Sequence, residues 1–183
     1  MLVTRMEDLD FESLLRQRLD PLDAVAPANA RIRGDNDLNP GFDTHPEARP
    51  AAVLAPIIKR ADGWTMLFTE RAKETPAHPG QISFPGGRVQ ASDANAVDTA
   101  LRETLEEVGL ARRFIEPIGA WDRYDTITGY RVTPVVGLVE PGFELTLDPR
   151  EVASVFEAPL DFLMNPANHE KRAAQCQGRT SYY

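Results

Sequence analysis

Apolar residues recur at Leu9, Leu14, Leu15 and Leu19, the spacing of a short amphipathic helix, and Pro21 ends it. From residue 20 to residue 50 the chain reads as loop, with prolines at 21, 27, 40, 46 and 50 and Gly34, Asn36, Asn39 and Gly41 between them. The nearly unbroken apolar run 51–59 predicts a buried strand, and 64–71 predicts its hairpin partner across an Asp62-Gly63 turn. A helix follows in which Val97, Leu101, Leu105 and Val108 share one side, at about 100° per residue. Residues 114–121 and 130–140 read as two more strands with Gly129 in the turn between them, and 143–147 as a possible last strand. Pro134 inside the second of these marks an edge or a bulge. Residues 151–156 and Leu160–Met164 read as short helices. Strands on both sides of a central helix, with more helix later, predict an α/β protein whose mixed sheet is layered between helices. There is no internal repeat and no low-complexity tract.

The polar side of the central helix carries the chemistry. Glu103, Glu106 and Glu107 fall within an arc of roughly 100°, opposite the apolar side. Asp93, Asp98 and these three glutamates face a single base inside the helix, Arg102. Like charges three and four residues apart repel, so such an arc needs solvent, basic partners or a cation. A lone Glu-Glu pair on an amphipathic helix reads as a solvated face; here the residues around it favour a platform for a hard divalent cation, Mg²⁺ or Mn²⁺. Asp93, just ahead of the helix, also has the chemistry of an N-cap.

At 183 residues the chain fits one domain with a sizeable core. Its net charge of −8 argues against a nucleic-acid backbone as partner but not against a phosphate substrate approached through a bridging cation and local bases. Arg71, Lys73 and Arg88 flank a glycine turn at Gly86 and Gly87, where backbone N–H groups can approach an anion. No apolar run is long enough to span a bilayer, and the first residues turn acidic before a secretory core could form, which predicts a cytoplasmic protein. Cys176 stands alone, so no internal disulfide is possible, and His45, His78 and His169 have no zinc-like spacing.

Residues 86–110 resemble the signature of the Nudix hydrolases: Gly, five residues, Glu, seven residues, then Arg-Glu-apolar-any-Glu-Glu-any-Gly-apolar. Arg102, Glu103, Glu106, Glu107, Gly109 and Leu110 fit its second half, with Thr104 at the first apolar position. Counting back from Arg102 puts Ala94 and Arg88 at the first Glu and Gly, so the strict frame is broken. A box one residue longer, with Gly87 five residues before Asp93, is similar to that of the coenzyme A pyrophosphatase branch. That branch also carries Leu-Leu-Thr-any-Arg-Ser/Ala, then Arg, Gly and Phe-Pro-Gly-Gly, each after three residues. Leu67, Phe68, Thr69, Arg71, Ala72, Gly80, Phe84, Pro85, Gly86 and Gly87 keep this spacing, with Pro76 at the second Arg and Lys73 and His78 near enough to replace its charge. Residues 125–137 and 151–160 resemble the same branch.

The resemblance covers residues 50–165 and implies an α/β/α sandwich in which a lead-in of residues 1–50 precedes a Nudix domain of residues 51–183. It implies Mg²⁺-dependent hydrolysis of coenzyme A or a derivative to adenosine 3′,5′-bisphosphate and 4′-phosphopantetheine. Glu103, Glu106 and Glu107 would hold the metal, and Arg102 would orient them through its planar fork. Either Glu103 or Glu107, or a later acid among Glu140, Glu144 and Glu151, would be the general base. Arg71, Arg88, Gly86 and Gly87 would bind substrate, the two arginines reading its 3′-phosphate. Pro76 keeps open other nucleoside diphosphate derivatives, such as NADH, ADP-ribose or an oxidised dNTP, and a silent nucleotide-binding domain is the alternative outside the enzymes. Family members continue past the equivalent of Tyr183 with a strand and a helix. Residues 179–183 are therefore expected to pair as an edge strand or to cover apolar surface, within the domain or across a homodimer.

Overall fold

Residues 54–58 are all buried, and a strand buried on both faces belongs in the middle of a sheet. The computed structural model describes residues 8–22, 32–40, 47–75, 78–176 and 179–182. In chain order the elements are α1 (Asp8–Arg18), β1 (Ile32–Gly34), α2 (Asp35–Leu38), β2 (Arg49–Arg60), β3 (Gly63–Arg71), β4 (Ile82–Ser83), β5 (Gly86–Arg88) and α3 (Ala96–Val108). Then come β6 (Ile115–Ala120), β7 (Arg123–Asp125), β8 (Tyr130–Val139), β9 (Val152–Pro159), α4 (Leu160–Met164), β10 (Ala173–Cys176) and β11 (Arg179–Tyr182).

The main sheet runs β1-β7-β8-β2-β3-β4, with β5 on β2, β6 on β8 and β9 on β3. Two pairings, β1 with β7 and β2 with β8, are parallel and the others antiparallel, so the sheet is mixed. Strand alternation sorts β2: Ala52, Leu54 and Ile58 pack under α3 with Ala100, Leu101 and Val108. Ala55 and Ile57 face the other layer, where Leu19, Met66, Val136 and Leu160 meet Phe11 and Leu15 of α1. Complete burial of Leu54, Ile57 and Ile58 contributes about 1.5–3 kcal/mol each. The result is the expected α/β/α layering. Gly119 lets α1 dock: a Cβ there would stand 2.5 Å from the Leu19 Cβ. Among the described residues no helix is long and apolar enough to cross a membrane.

Several sequence expectations change. Residues 151–156 belong mostly to a strand, because β9 pairs with β3 from Thr65↔Pro159 to Arg71↔Val152. Residues 143–147 form no strand; Phe143, Leu145 and Leu147 pack on the core while Thr146 N–H and Asp148 N–H bond the Val108 and Glu107 carbonyls that end α3. Ala61 and Asp62 make the hairpin turn, and Gly63 already pairs with Arg60. Pro134 lies in the central strand β8, opposite Val53 on β2 and at the point where its other neighbour changes from β6 to β7. The lead-in is not all loop, since it supplies β1 and α2. Leu14, expected on the packed side of α1, is 40% exposed, and Phe11 packs instead.

Near its end the chain turns back on itself as the β10–β11 hairpin, apart from the main sheet. Asn39 holds that hairpin: its side-chain amide donates to the Tyr182 carbonyl at 2.9 Å, and Tyr182 N–H donates to its Oδ1 at 2.6 Å. The expected terminal pairing is thus present, while Tyr182 keeps 41% of its surface exposed. Tyr183, Pro76 and His45 lie outside the described residues.

Candidate active site

α3 starts cleanly and stops cleanly. Asn95, not Asp93, is its N-cap, accepting from Asp98 N–H at 3.0 Å, and Gly109 closes the other end in the left-handed region at φ 73. The buried stripe is rotated from the expected one. Leu105 is 50% exposed, whereas Ala100, Thr104 and Glu107 are buried, the Thr104 hydroxyl donating to the Ala100 carbonyl at 2.7 Å. The helix needs its inner face for Glu107, which sits beneath the glycine strand β5 and accepts Gly86 N–H at 3.1 Å.

Asp93 has a different role from the expected cap. It receives Arg102 Nε and Nη2 at 2.9 Å each and the Thr99 hydroxyl at 2.8 Å. The Arg102 guanidinium holds the Asp93 carboxyl well below the usual range. Arg102 Nη1 then reaches Glu103 at 2.8 Å and Glu106 at 3.0 Å, and its Nη2 reaches the Arg88 carbonyl at 3.1 Å. A single planar fork therefore ties the loop before α3, β5 and two box glutamates together.

The three box glutamates are not equivalent. Glu103 lies flat against Gly87, where an added Cβ would stand 2.5–2.7 Å from its carboxyl atoms. Glu107 is 3% exposed, with Arg71 Nη1 at 3.9 Å from its Oε1. Glu106 points outward, its side chain 55% exposed, and meets the others only through Arg102. Among the described residues, no group of three His, Cys, Asp or Glu side chains is already arranged to hold a metal ion. The donor chemistry nevertheless fits a hard cation: carboxylate oxygens only, two of the three carboxyls withdrawn from water.

Burial pushes Glu107 up to about 7, reinforced by Glu151 and Glu103 and opposed by the Gly86 N–H and Arg71. Burial also raises Glu103, against the pull of Arg102. Of the later acids, Glu151 is the one whose charge acts on both, whereas Glu140 and Glu144 are exposed elsewhere. The sign of the resulting pH dependence is fixed. Folded chains hold a proton on Glu107 that unfolded chains release between about pH 4.5 and 7, so folding weakens as pH rises through that window. In chelator-treated protein, urea titrations at the two ends should differ by about 3 kcal/mol. The Glu107→Gln variant should lack that decline.

Arg71 and Arg88, expected to act together, are separated. Arg71 faces Glu107 on the α3 side. Arg88, the residue after Gly87, points through the opposite face of the sheet, its guanidinium 5.4 Å from the Tyr130 ring centroid. Lys73 and His78 are exposed. On that opposite face opens a cleft of about 770 Å³ lined by Val53, Phe84, Trp121, Tyr124, Val132 and Pro134, with Arg18 and Arg33 at its side. None of the glutamates lines it. The cleft and the carboxylates occupy the two faces of the same β2–β5 pair, where Val53 is matched to Gly86 and Ala52 to Gly87. The lead-in shapes the cleft as well: Asp35 accepts the Tyr124 hydroxyl at 2.7 Å and Ile127 N–H at 2.6 Å. Sequence reading missed these wall residues, because β7 is too short to show a period and its pairing with β1 is nonlocal.

Comparison with known proteins gives this arrangement a family. A family model described as the NUDIX domain matches residues 48–176. The "Uncharacterized Nudix hydrolase NudL" of Enterobacter sp. (strain 638) is 40% identical over 130 residues, 71% of this chain and 67% of that protein. Its namesake from Escherichia coli (strain K12) is 45% identical over 112 residues, 61% of this chain and 58% of that protein. The chain therefore spans about three fifths of the length of that second relative. Among solved structures, the Nudix hydrolase RenU of M. smegmatis superposes with a TM-score of 0.54 at 20% identity, over 63% of this chain and 73% of that one. A C. elegans Ap4A hydrolase binary complex gives 0.53 at 18% identity, over 65% and 86%. At such identities these two likenesses speak for the fold alone. Fold, glycine strand, acidic helix and matched family model agree, and the chain belongs to the Nudix hydrolases, a family that cleaves pyrophosphate bonds in nucleoside diphosphate derivatives.

Proposed function

We propose that this chain hydrolyses the pyrophosphate of coenzyme A or an acyl derivative, releasing adenosine 3′,5′-bisphosphate and 4′-phosphopantetheine. The observation that carries the hydrolase part is the pair of carboxyls, Glu103 against Gly87 and Glu107 under Gly86, buried without a full complement of positive charge. Support for the substrate comes from the pattern running from Leu67 through Arg71, Gly80 and Phe84 to Gly87, together with a cleft large and aromatic enough for a nucleoside.

Glu103, Glu106 and Glu107 would hold a magnesium or manganese ion once the first two turn from Arg102, and the bound ion supplies charge neutralisation and a more acidic water. Arg71, beside Glu107, binds the scissile diphosphate. Gly86 lets β5 lie close against β2, and Gly87 lets the Glu103 carboxyl lie against the strand beside which that diphosphate would sit. Arg102 positions the acids and holds Asp93 as its counter-ion. In the reaction a water oxygen forms a bond to one phosphorus, the bridging P–O bond breaks, and the water proton passes to a glutamate, Glu103 or Glu107. A cytoplasmic location and a homodimer belong to the same proposal and are tested by fractionation and light scattering.

A panel of coenzyme A, acyl-coenzyme A, NADH, ADP-ribose and oxidised dGTP, assayed with and without Mg²⁺, tests the reading. Coenzyme A compounds should show the highest kcat/KM, and activity should vanish on chelation. A preference for another member would move the substrate elsewhere in the family; no turnover with any would favour a silent nucleotide-binding domain.

A further inference from the structure

On the sheet face opposite α3, three side chains meet that the proposed chemistry leaves unused. The Arg49 guanidinium lies 4.3 Å from the centroid of the Tyr130 ring, and the Arg88 guanidinium 5.4 Å from it. Strand register produces the meeting. Arg49 on β2 is matched to Tyr130 on β8, and two residues further along β2 Ala51 is matched to Arg88 on β5. Side chains matched in this way share a face, so Arg88 crosses diagonally over β2 to the tyrosine, past a residue as small as alanine.

Two guanidinium groups on one ring repel each other, and cation–π contact with the tyrosine offsets only part of that cost. Other arginines of the chain are matched to acids: Arg60 to Glu157, Arg102 to Asp93, Arg131 to Asp125 and Arg150 to Asp148. No carboxylate among the described residues forms a salt bridge with Arg49 or Arg88. In a protein of net charge −8, a pair of arginines with no salt bridge to a described carboxylate is a local anion-attracting site. It also continues the cleft: Tyr130, Val132 and Pro134 point to one face of β8, and the last two line the cleft wall. Successive same-face side chains on a strand stand about 6.6 Å apart, roughly the distance from a ribose ring to the far side of a phosphate on it.

We propose that Arg49 and Arg88, spread on Tyr130, clamp a phosphomonoester of the substrate that lies outside the scissile diphosphate. This rests on the coenzyme A reading, in which that group is the 3′-phosphate of the adenosine. A phosphomonoester carries close to two charges at neutral pH and offers three acceptor oxygens, which suits two guanidinium forks better than one. Arg71 is excluded from this role because it lies with Glu107 on the other face, and it serves as the control.

The test has a catalytic arm and a binding arm. Kinetics on coenzyme A and 3′-dephospho-coenzyme A are compared for wild type, Arg49→Ala, Arg88→Ala and Arg71→Ala. The first two variants should lose about tenfold or more in kcat/KM on coenzyme A beyond their loss on the dephospho compound, carried by KM. Arg71→Ala should lose equally on both. Calorimetry with adenosine 3′,5′-bisphosphate and 5′-AMP needs no turnover: wild type should prefer the bisphosphate, and both variants, with unchanged circular dichroism, should lose the preference. Arg49→Lys and Arg88→Lys, which keep the charge, should retain part of it. Equal losses on the two coenzyme A forms, or no preference between the two nucleotides in the wild type, would overturn the clamp. A wild type that prefers the bisphosphate yet cleaves neither coenzyme A form would support the clamp and overturn the coenzyme A reading.

Discussion

Glu107→Gln should lower turnover by about a hundredfold or more and leave the fold in place. Glutamine has nearly the volume of glutamate, and its amide oxygen can still accept the Gly86 N–H that Glu107 Oε2 accepts at 3.1 Å. What disappears is a charge buried to 3% exposure, facing Arg71 on one side and the charges of Glu103 and Glu151 on the other. Losing it weakens cation binding and removes one of the two candidate proton acceptors, whereas the folded state is relieved of a desolvated carboxylate. Activity and stability should therefore move in opposite directions at pH 7: slower turnover, and a urea midpoint equal to or above that of the wild type. Wild-type rates in this variant at saturating Mg²⁺ would remove the helix from the mechanism.

Two neighbouring glycines should give contrasting losses. In Gly87→Ala the new methyl would stand 2.5–2.7 Å from the Glu103 carboxyl, the movable end of a long side chain. Glu103 should swing away, turnover should fall about tenfold or more, and stability should change by less than about 1 kcal/mol. In Gly86→Ala the methyl meets the backbone of β2 instead, clashing with the Ala52 carbonyl and standing 2.5 Å from the Val53 Cα. A paired strand cannot yield in that way, so the cost should be about 3 kcal/mol or more, visible as a lower denaturation midpoint even before activity is measured. Equal stability losses in the two variants would mean that Glu103 does not lie where the Gly87 contact places it.

The parts of this fold that could be read from the chain are those whose signals are local. The apolar run of β2 and its turn into β3 announced a buried hairpin, and the acid spacing of α3 announced a helix with chemistry on it. β9 goes unread because Ala153, Ser154, Glu157 and Ala158 carry little strand propensity; the ladder with β3 imposes the conformation. Counting residues puts Leu105 on the packed side, yet the helix turns to bury Glu107 under Gly86. Glu103, Glu106 and Glu107 could be placed on one arc of the helix from spacing, and the resemblance to the Nudix box joined Arg102 to them as a site. The company of Arg49 and Arg88 on Tyr130 could not, since it depends on the register of three strands distant in sequence. Arg71, at the end of β3 just past a register shift against β9, and Arg88, on β5, end on opposite faces.

The products formed from coenzyme A decide whether this chain cleaves its pyrophosphate. Wild-type protein is incubated with coenzyme A and Mg²⁺, and the products are separated and identified by mass. Adenosine 3′,5′-bisphosphate and 4′-phosphopantetheine should appear in equal amounts, with none formed when the cation is chelated. Intact coenzyme A after prolonged incubation with Mg²⁺, or orthophosphate accompanied by dephospho-coenzyme A, would contradict it.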